Sequence, residues 1–250
     1  MQIARLQQNE KIFHAVHKDG AYYPITGDCF QIKSIAEQPL TGDYKLLAPV
    51  APSKILALGV NYRKHAAELQ REIKPEPLLF LKPPSALLNP GEPIVIARPE
   101  HRTDYEAELA VVIGRTCRNI TAREAASYIL GYTCANDVSD RVIQKADGQW
   151  TRAKGFDTYC PLGPHIATAL SPENLLLETI LNGEVVQSGH TSEMLTGVFV
   201  AVAFASGVMT LYPGDVLLTG TPDGIGLIHN GDTVEIRIEG IGSLVNPVVE

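Results

Sequence analysis

Three observations predict a β-rich α+β fold for this 250-residue chain. Apolar runs of strand length recur along it, bounded by Gly, Pro, Asn and Asp. Helical patterning is confined to the middle of 61–77, to 121–130 and to 193–208. Strands and helices do not alternate regularly, which argues against a wound βαβ sheet.

In chain order, residues 1–48 read as a small N-terminal β domain, an annex to the rest. QIARL and EKIFHAVHKDGAYYPI give short strands around an Asp19-Gly20 turn. His14 and His17 are expected to be exposed strand residues rather than ligands. The boundary falls near Ala48-Pro49, and 49–250 form the main domain. There KILALGV is a buried strand, and NYRKHAAELQREIKPEP a short helix followed by a charged, proline-bearing loop. LLFLKPP, GEPIVI and DYEAELAVVIG are further strands. TAREAASYIL carries a capping box, Thr121 with Glu124, and leads into the strand YTCANDVSD. The Gly/Pro-rich stretch QKADGQWTRAKGFDTYCPLGP reads as irregular. LETILNGEVVQSG is a hairpin around Asn182-Gly183. Residues 193–208 read as an apolar helix capped by Thr191 or Ser192, and the chain closes with strands.

Composition bounds the function. The apolar fraction of 45% supports a sizeable core. With 21 basic and 28 acidic residues the net charge is −7, and no basic block occurs, which disfavours nucleic acid and anionic membranes as partners. No run is long enough to span a bilayer, and MQIARLQQNEKIF lacks the apolar centre of a signal sequence. The four cysteines have no C-x-x-C spacing, so buried free thiols and a cytoplasmic location are expected.

The chemistry centres on Glu106 and Glu108. Two residues apart on a strand, they share one face. They either face solvent or hold a hard cation, for which carboxylates suit Mg²⁺ or Mn²⁺. Asp137 closes a strand, where capping a turn is an equal alternative. His65 and Glu68 share a helical face, and Lys154 lies in a loop. GTPDGIG lacks the Gly-Lys-Ser/Thr of a phosphate-binding loop.

Taken together and in order, NYRKHAAEL, LFLKPPSAL, DYEAELAVVIG, NDVSDRVIQ, QWTRAKGFDTYCPLGP and TLYPGDVLLTGTPDGIG resemble the fumarylacetoacetate hydrolase family over about residues 52–240. The resemblance implies that family's mixed β-sandwich or roll and a homodimer. It implies Glu106, Glu108 and Asp137 as ligands of Mg²⁺ or Mn²⁺, Lys154 facing the substrate, and His65 with Glu68 as a dyad on a lid spanning 61–77. Thr221, Gln144 and Arg141 become substrate-binding residues. Two departures stand out: Asp140-Arg141-Val142 where many members have Ala-Arg-Asp, and Gly155 where a serine is common. The implied activity is conversion of a small oxo-acid through a metal-stabilised enolate. Hydrolysis of a C–C bond in an acylpyruvate-type 1,3-dioxo acid comes first. Isomerisation or decarboxylation of 2-hydroxyhepta-2,4-diene-1,7-dioate in aromatic catabolism, and oxaloacetate decarboxylation, are alternatives. A catalytically silent binding protein is the reading from another class.

Overall fold

The computed structural model describes residues 1–250 and shows a β-rich α+β molecule. Its centre is a twelve-stranded sheet facing a five-stranded one, with a small three-stranded sheet at one end. The strand Ala107–Ile113 lies inside the large sheet, antiparallel to Ile129–Asn136 on one side and Val216–Leu218 on the other. It is buried throughout. Leu109, Val111 and Ile113 join the core shared with Leu177, Ile236 and Leu244 of the five-stranded sheet. Ala110 and Val112 point the other way, into a second core with Val50, Phe80 and Trp150. Burial on both faces explains why this strand reads as a continuous apolar run. Each fully buried Leu or Val stabilises the fold by about 2 kcal/mol.

That parity positions the chemistry. Glu108 shares the face of Ala110 and Val112, so its carboxylate enters the Phe80–Trp150 side. DYEAELAVVIG is not one strand. It breaks at Glu106, where Thr103–Tyr105 leaves for the three-stranded sheet. The Glu106 N–H donates to Asn136 Oδ1 at 2.9 Å instead of to a ladder partner.

The N-terminal strands extend the large sheet. Gln2 and Ile3 pair with Ala167 and Ile166, while Ala4, Leu6 and Ala15 form a small apolar cluster of their own. His14 and His17 are half-buried, not exposed. His17 stacks on His165 with ring centroids 4.5 Å apart, across the strand Gln2–Gln8, which pairs with Lys11–Lys18 on one side and Cys160–Ala167 on the other.

Two stretches depart from the sequence reading. Within the irregular stretch the chain forms helices Arg141–Asp147 and Thr151–Lys154, then the strand Cys160–Ala167. Asp140 caps the first helix by accepting from the Ile143 N–H at 2.9 Å, and Gly148 ends it in the left-handed region. The strand tolerates Pro161 and Pro164 because its pairing with Ile129–Asn136 is interrupted by a register shift. The apolar helix spans Val198–Val208 with Gly197 as its cap, and Thr191–Glu193 is a separate 3₁₀ turn. Residues 195 and 196 stay out of the helix because Asn61 claims them: its C=O accepts from Leu195 N–H and its Oδ1 from Thr196 N–H, both at 2.7 Å. The hairpin turn at Asn182-Gly183 forms with both residues at positive φ. All four cysteines are free and buried, and no helix is long and apolar enough to cross a membrane.

Candidate metal and catalytic centre

Glu106, Glu108 and Asp137 converge, with one oxygen of each within 4.8 Å of the others and all three side chains buried. Asp137 follows the strand Ile129–Asn136, and its N–H donates to the Glu106 C=O at 2.9 Å, which ties the two carboxylate-bearing segments together. Buried like charges at this spacing need cations. The chain supplies Lys154, whose Nζ lies 2.9 Å from Glu106 Oε2 and also bonds Asp137 Oδ2. Lys82 Nζ bonds Asp137 Oδ1, and Arg141 Nη1 lies 2.7 Å from Glu106 Oε1.

This compensation is uneven. Burial alone would push the Glu106 carboxyl up, but Lys154 and Arg141 hold it well below the usual carboxylate range. Glu108 has no ammonium or guanidinium of its own and accepts from the Gly220 N–H. Burial, then the charges of Asp137 and Glu106, push its carboxyl well above the ordinary value. Burial alone would lower the Lys154 ammonium; Asp137 and Glu106 outweigh it and keep the group charged. Three oxygen donors, one of them short of positive charge, without Cys or His in the set, fit a hard divalent cation.

A narrow chamber of about 10 Å³ opens at this cluster, lined in part by His65, Glu106, Glu108, Gln144, Lys154 and Thr221. His65 comes from the helix Arg63–Glu68 and is 3% exposed. Its Nδ1 lies 2.8 Å from Glu68 Oε2, while Glu68 Oε1 accepts from the Gly224 N–H at 3.1 Å. A carboxylate only accepts, so Nδ1 carries the hydrogen and, in the neutral ring, Nε2 carries the lone pair. Thr221 Oγ1 accepts from Gln187 Nε2 at 2.8 Å, and Gln144 Oε1 accepts from Arg141 Nη1 at 2.9 Å. Val60, at the entry to this helix and on the chamber wall, has φ 54°. A β-branched residue there is strained by about 1–3 kcal/mol.

Three contributors escape the sequence reading. Lys82 is fully buried against Asp137; its signal is parity, since it shares the inward face of the strand with Phe80. Trp150 forms one wall, edge-on to Phe80 and 5.8 Å from Lys154 Nζ. Gln187 anchors Thr221 and also accepts from the Ala107 N–H at 3.1 Å, a link that no local pattern announces.

The model of the fumarylacetoacetate (FAA) hydrolase C-terminal family matches residues 54–249. The mitochondrial oxaloacetate tautomerase fahd2 of Xenopus laevis is 41% identical, over 82% of this chain and 68% of that protein. A crystal structure of 5-carboxymethyl-2-hydroxymuconate delta-isomerase from Mycobacterium smegmatis is 44% identical with a TM-score of 0.92, covering 100% of this chain and 99% of that one. Maleylpyruvate hydrolase from Sphingobium sp. SYK-6, solved with manganese(II) and pyruvate, is 30% identical with a TM-score of 0.82 over 100% and 99% of the two chains.

Proposed function

The chain belongs to the fumarylacetoacetate hydrolase family, and on that premise we propose that it is a Mg²⁺- or Mn²⁺-dependent enzyme that hydrolyses the C–C bond of an acylpyruvate-type 1,3-dioxo acid. The observation that carries this reading is His65. It is buried in the same chamber as Glu106, Glu108 and Lys154, with Nδ1 fixed by Glu68 and Nε2 left as a base.

Glu106, Glu108 and Asp137 would hold the cation, which when bound supplies Lewis-acid stabilisation of negative charge on an oxo-acid oxygen. His65 Nε2 takes a proton from water, and the resulting hydroxide adds to the distal acyl carbonyl. The C–C bond then breaks, its electron pair passing to the carbon on the pyruvate side. Protonated His65 returns the proton to that carbon, so a carboxylic acid and pyruvate are formed and the proton count closes. Glu68 stabilises the imidazolium between the two transfers, and the Lys154 ammonium faces the developing negative charge. Thr221, Gln144 and Arg141 orient the substrate.

A second reading keeps the same residues and drops the water: proton transfer next to a carbonyl, as in an isomerase or tautomerase, or loss of CO₂ from a β-oxo-acid. The relatives bearing isomerase and tautomerase names, at 44% and 41% identity, favour it. A homodimer belongs to the proposal, supported by Val200 and Val208 exposed on the apolar helix Val198–Val208.

The deciding experiment is a Mg²⁺/Mn²⁺-dependent panel with product analysis on acetylpyruvate, oxaloacetate and a 2-hydroxy-diene dicarboxylate, for wild type and His65→Ala. Acetylpyruvate cleavage that falls by about 10²-fold or more in His65→Ala supports the hydrolase. Turnover of only the diene, or only oxaloacetate, would falsify hydrolysis and leave the metal-dependent oxo-acid enzyme standing.

A further inference from the structure

We propose that Arg71 reads the far end of the substrate. With Arg141 it forms a subsite for a terminal anionic group, and it thereby selects oxo-diacids over oxo-monoacids of equal length. The inference rests on the oxo-acid reading above and adds a specificity-determining residue to it.

The chamber continues outward into a groove of about 540 Å³, and Leu69 and Gln144 line both. Its charged lining is Arg71, Arg102, Arg141 and Lys145 against Glu68 and Asp104. Both acids are already engaged. Asp104 is held by Arg102 Nε and Arg141 Nε, each at 2.8 Å, and Glu68 by His65 and the Gly224 N–H. The groove is therefore locally positive on a chain whose net charge is −7.

Within it, Arg141 and Arg71 lack acceptors in different ways. Arg141 spends Nε on Asp104 and Nη1 on Glu106 and Gln144, but its buried Nη2 has no hydrogen-bond partner. Arg71 sits over Trp150, its Cζ 4.6 Å from the ring centroid. Both arginines line this one groove. Two guanidinium groups lining one groove, one of them with a donor left unpaired, supply the fork geometry that a carboxylate takes.

The chain also fixes where Arg71 stands. Its N–H donates to the Ala66 C=O at 2.8 Å, so it closes the turn that carries His65 and Glu68. Trp150 in turn is wedged against Gly59, where an added Cβ would meet the indole at 2.4 Å. Arg71 thus rides on the segment that brings in the base. A bound terminal carboxylate would hold that segment down from the outer side.

Trp150 is the only tryptophan, so its fluorescence reports directly on this contact. The test titrates Mg²⁺-saturated wild type and Arg71→Gln with 2-oxoglutarate and with 2-oxopentanoate. These share a carbon chain and differ in ending with a carboxylate or a methyl group. Calorimetry supplies the affinities if the substitution dulls the optical signal. In wild type, 2-oxoglutarate is expected to bind about tenfold or more tighter than 2-oxopentanoate. Arg71→Gln erases that preference and leaves 2-oxopentanoate affinity unchanged, and Arg71→Lys keeps part of it. Equal binding of both acids by wild type, or equal weakening of both by Arg71→Gln, overturns the inference while the oxo-acid reading stands. No binding of either acid to wild type removes that reading and this inference together.

Discussion

Gly59 and Trp150 meet through bare backbone: a Cβ on Gly59 would stand 2.4 Å from Cζ3 of the indole. The strand that leads into the helix Arg63–Glu68 is thereby pressed against the chamber wall, and neither side has room to yield, since Trp150 is itself packed on Phe80. Gly59→Ala is expected to destabilise by about 1–3 kcal/mol through overpacking and to displace the indole. Thermal melting and the emission maximum of Trp150 check this. An unchanged melting temperature together with unchanged emission contradicts the packing argument.

Glu108 is the ligand candidate least compensated by the chain's own cations. Because its carboxyl is pushed well up without a cation, Glu108→Gln mimics the protonated acid. In EDTA its stability is expected within about 1 kcal/mol of wild type. Mg²⁺ at about a hundred times its dissociation constant should stabilise wild type by about 2.7 kcal/mol and the variant not at all. Melting curves with and without Mg²⁺ separate a ligand from a structural carboxylate, which would lose stability in both conditions.

Lys82 has the opposite character. Removing it leaves Asp137 buried with Lys154 as its remaining ammonium partner. Lys82→Met is expected to destabilise the EDTA-treated protein by about 3–5 kcal/mol, with part of the loss restored by Mg²⁺. Chemical denaturation in both conditions measures it, and a loss below about 1 kcal/mol would show that the pair is not a stability element.

His165 gives a pH dependence away from the centre. Burial, and then His17, lower its imidazole from 6.5 to about 4. The unfolded chain therefore binds a proton that the fold refuses between these values. Its contribution is full above about 6.5, falls as the pH drops through the window, and is lost near 4. The shift caps the effect at about 3 kcal/mol. His165→Gln keeps an acceptor for the Tyr22 hydroxyl, now 2.9 Å from Nε2, and should flatten this part of the stability curve. The wild-type-minus-variant difference between pH 7 and 4 isolates it from the carboxylates.

The parts of this molecule that announce themselves in sequence are those decided by neighbours along the chain. The convergence of Glu106 with Glu108 is legible from their two-residue spacing, although Glu106 sits at a break beside the strand, and the Asn182-Gly183 hairpin from the conformational freedom its turn needs. What stays hidden is decided from afar. Asn61 delays the helix Val198–Val208 by bonding residues far along the chain, and Pro161 and Pro164 disguise a strand whose partner supplies the irregularity. Lys82 reads as the tail of an apolar run until Asp137 is folded against it. The break at Glu106, which frees its N–H for Asn136, is likewise a tertiary decision.

The bond from the Gly224 N–H to Glu68 Oε1 ties two separate segments of the chain together. The helix that brings in His65 and the loop that follows Thr221 cannot part at this point without breaking it and freeing the Gly224 N–H. The Gly224 amide then acts as a clock for that event. Its deuterium uptake should slow when an oxo-acid is bound and quicken in Glu68→Ala, while amides of the buried strand Ala107–Ile113 keep their own pace.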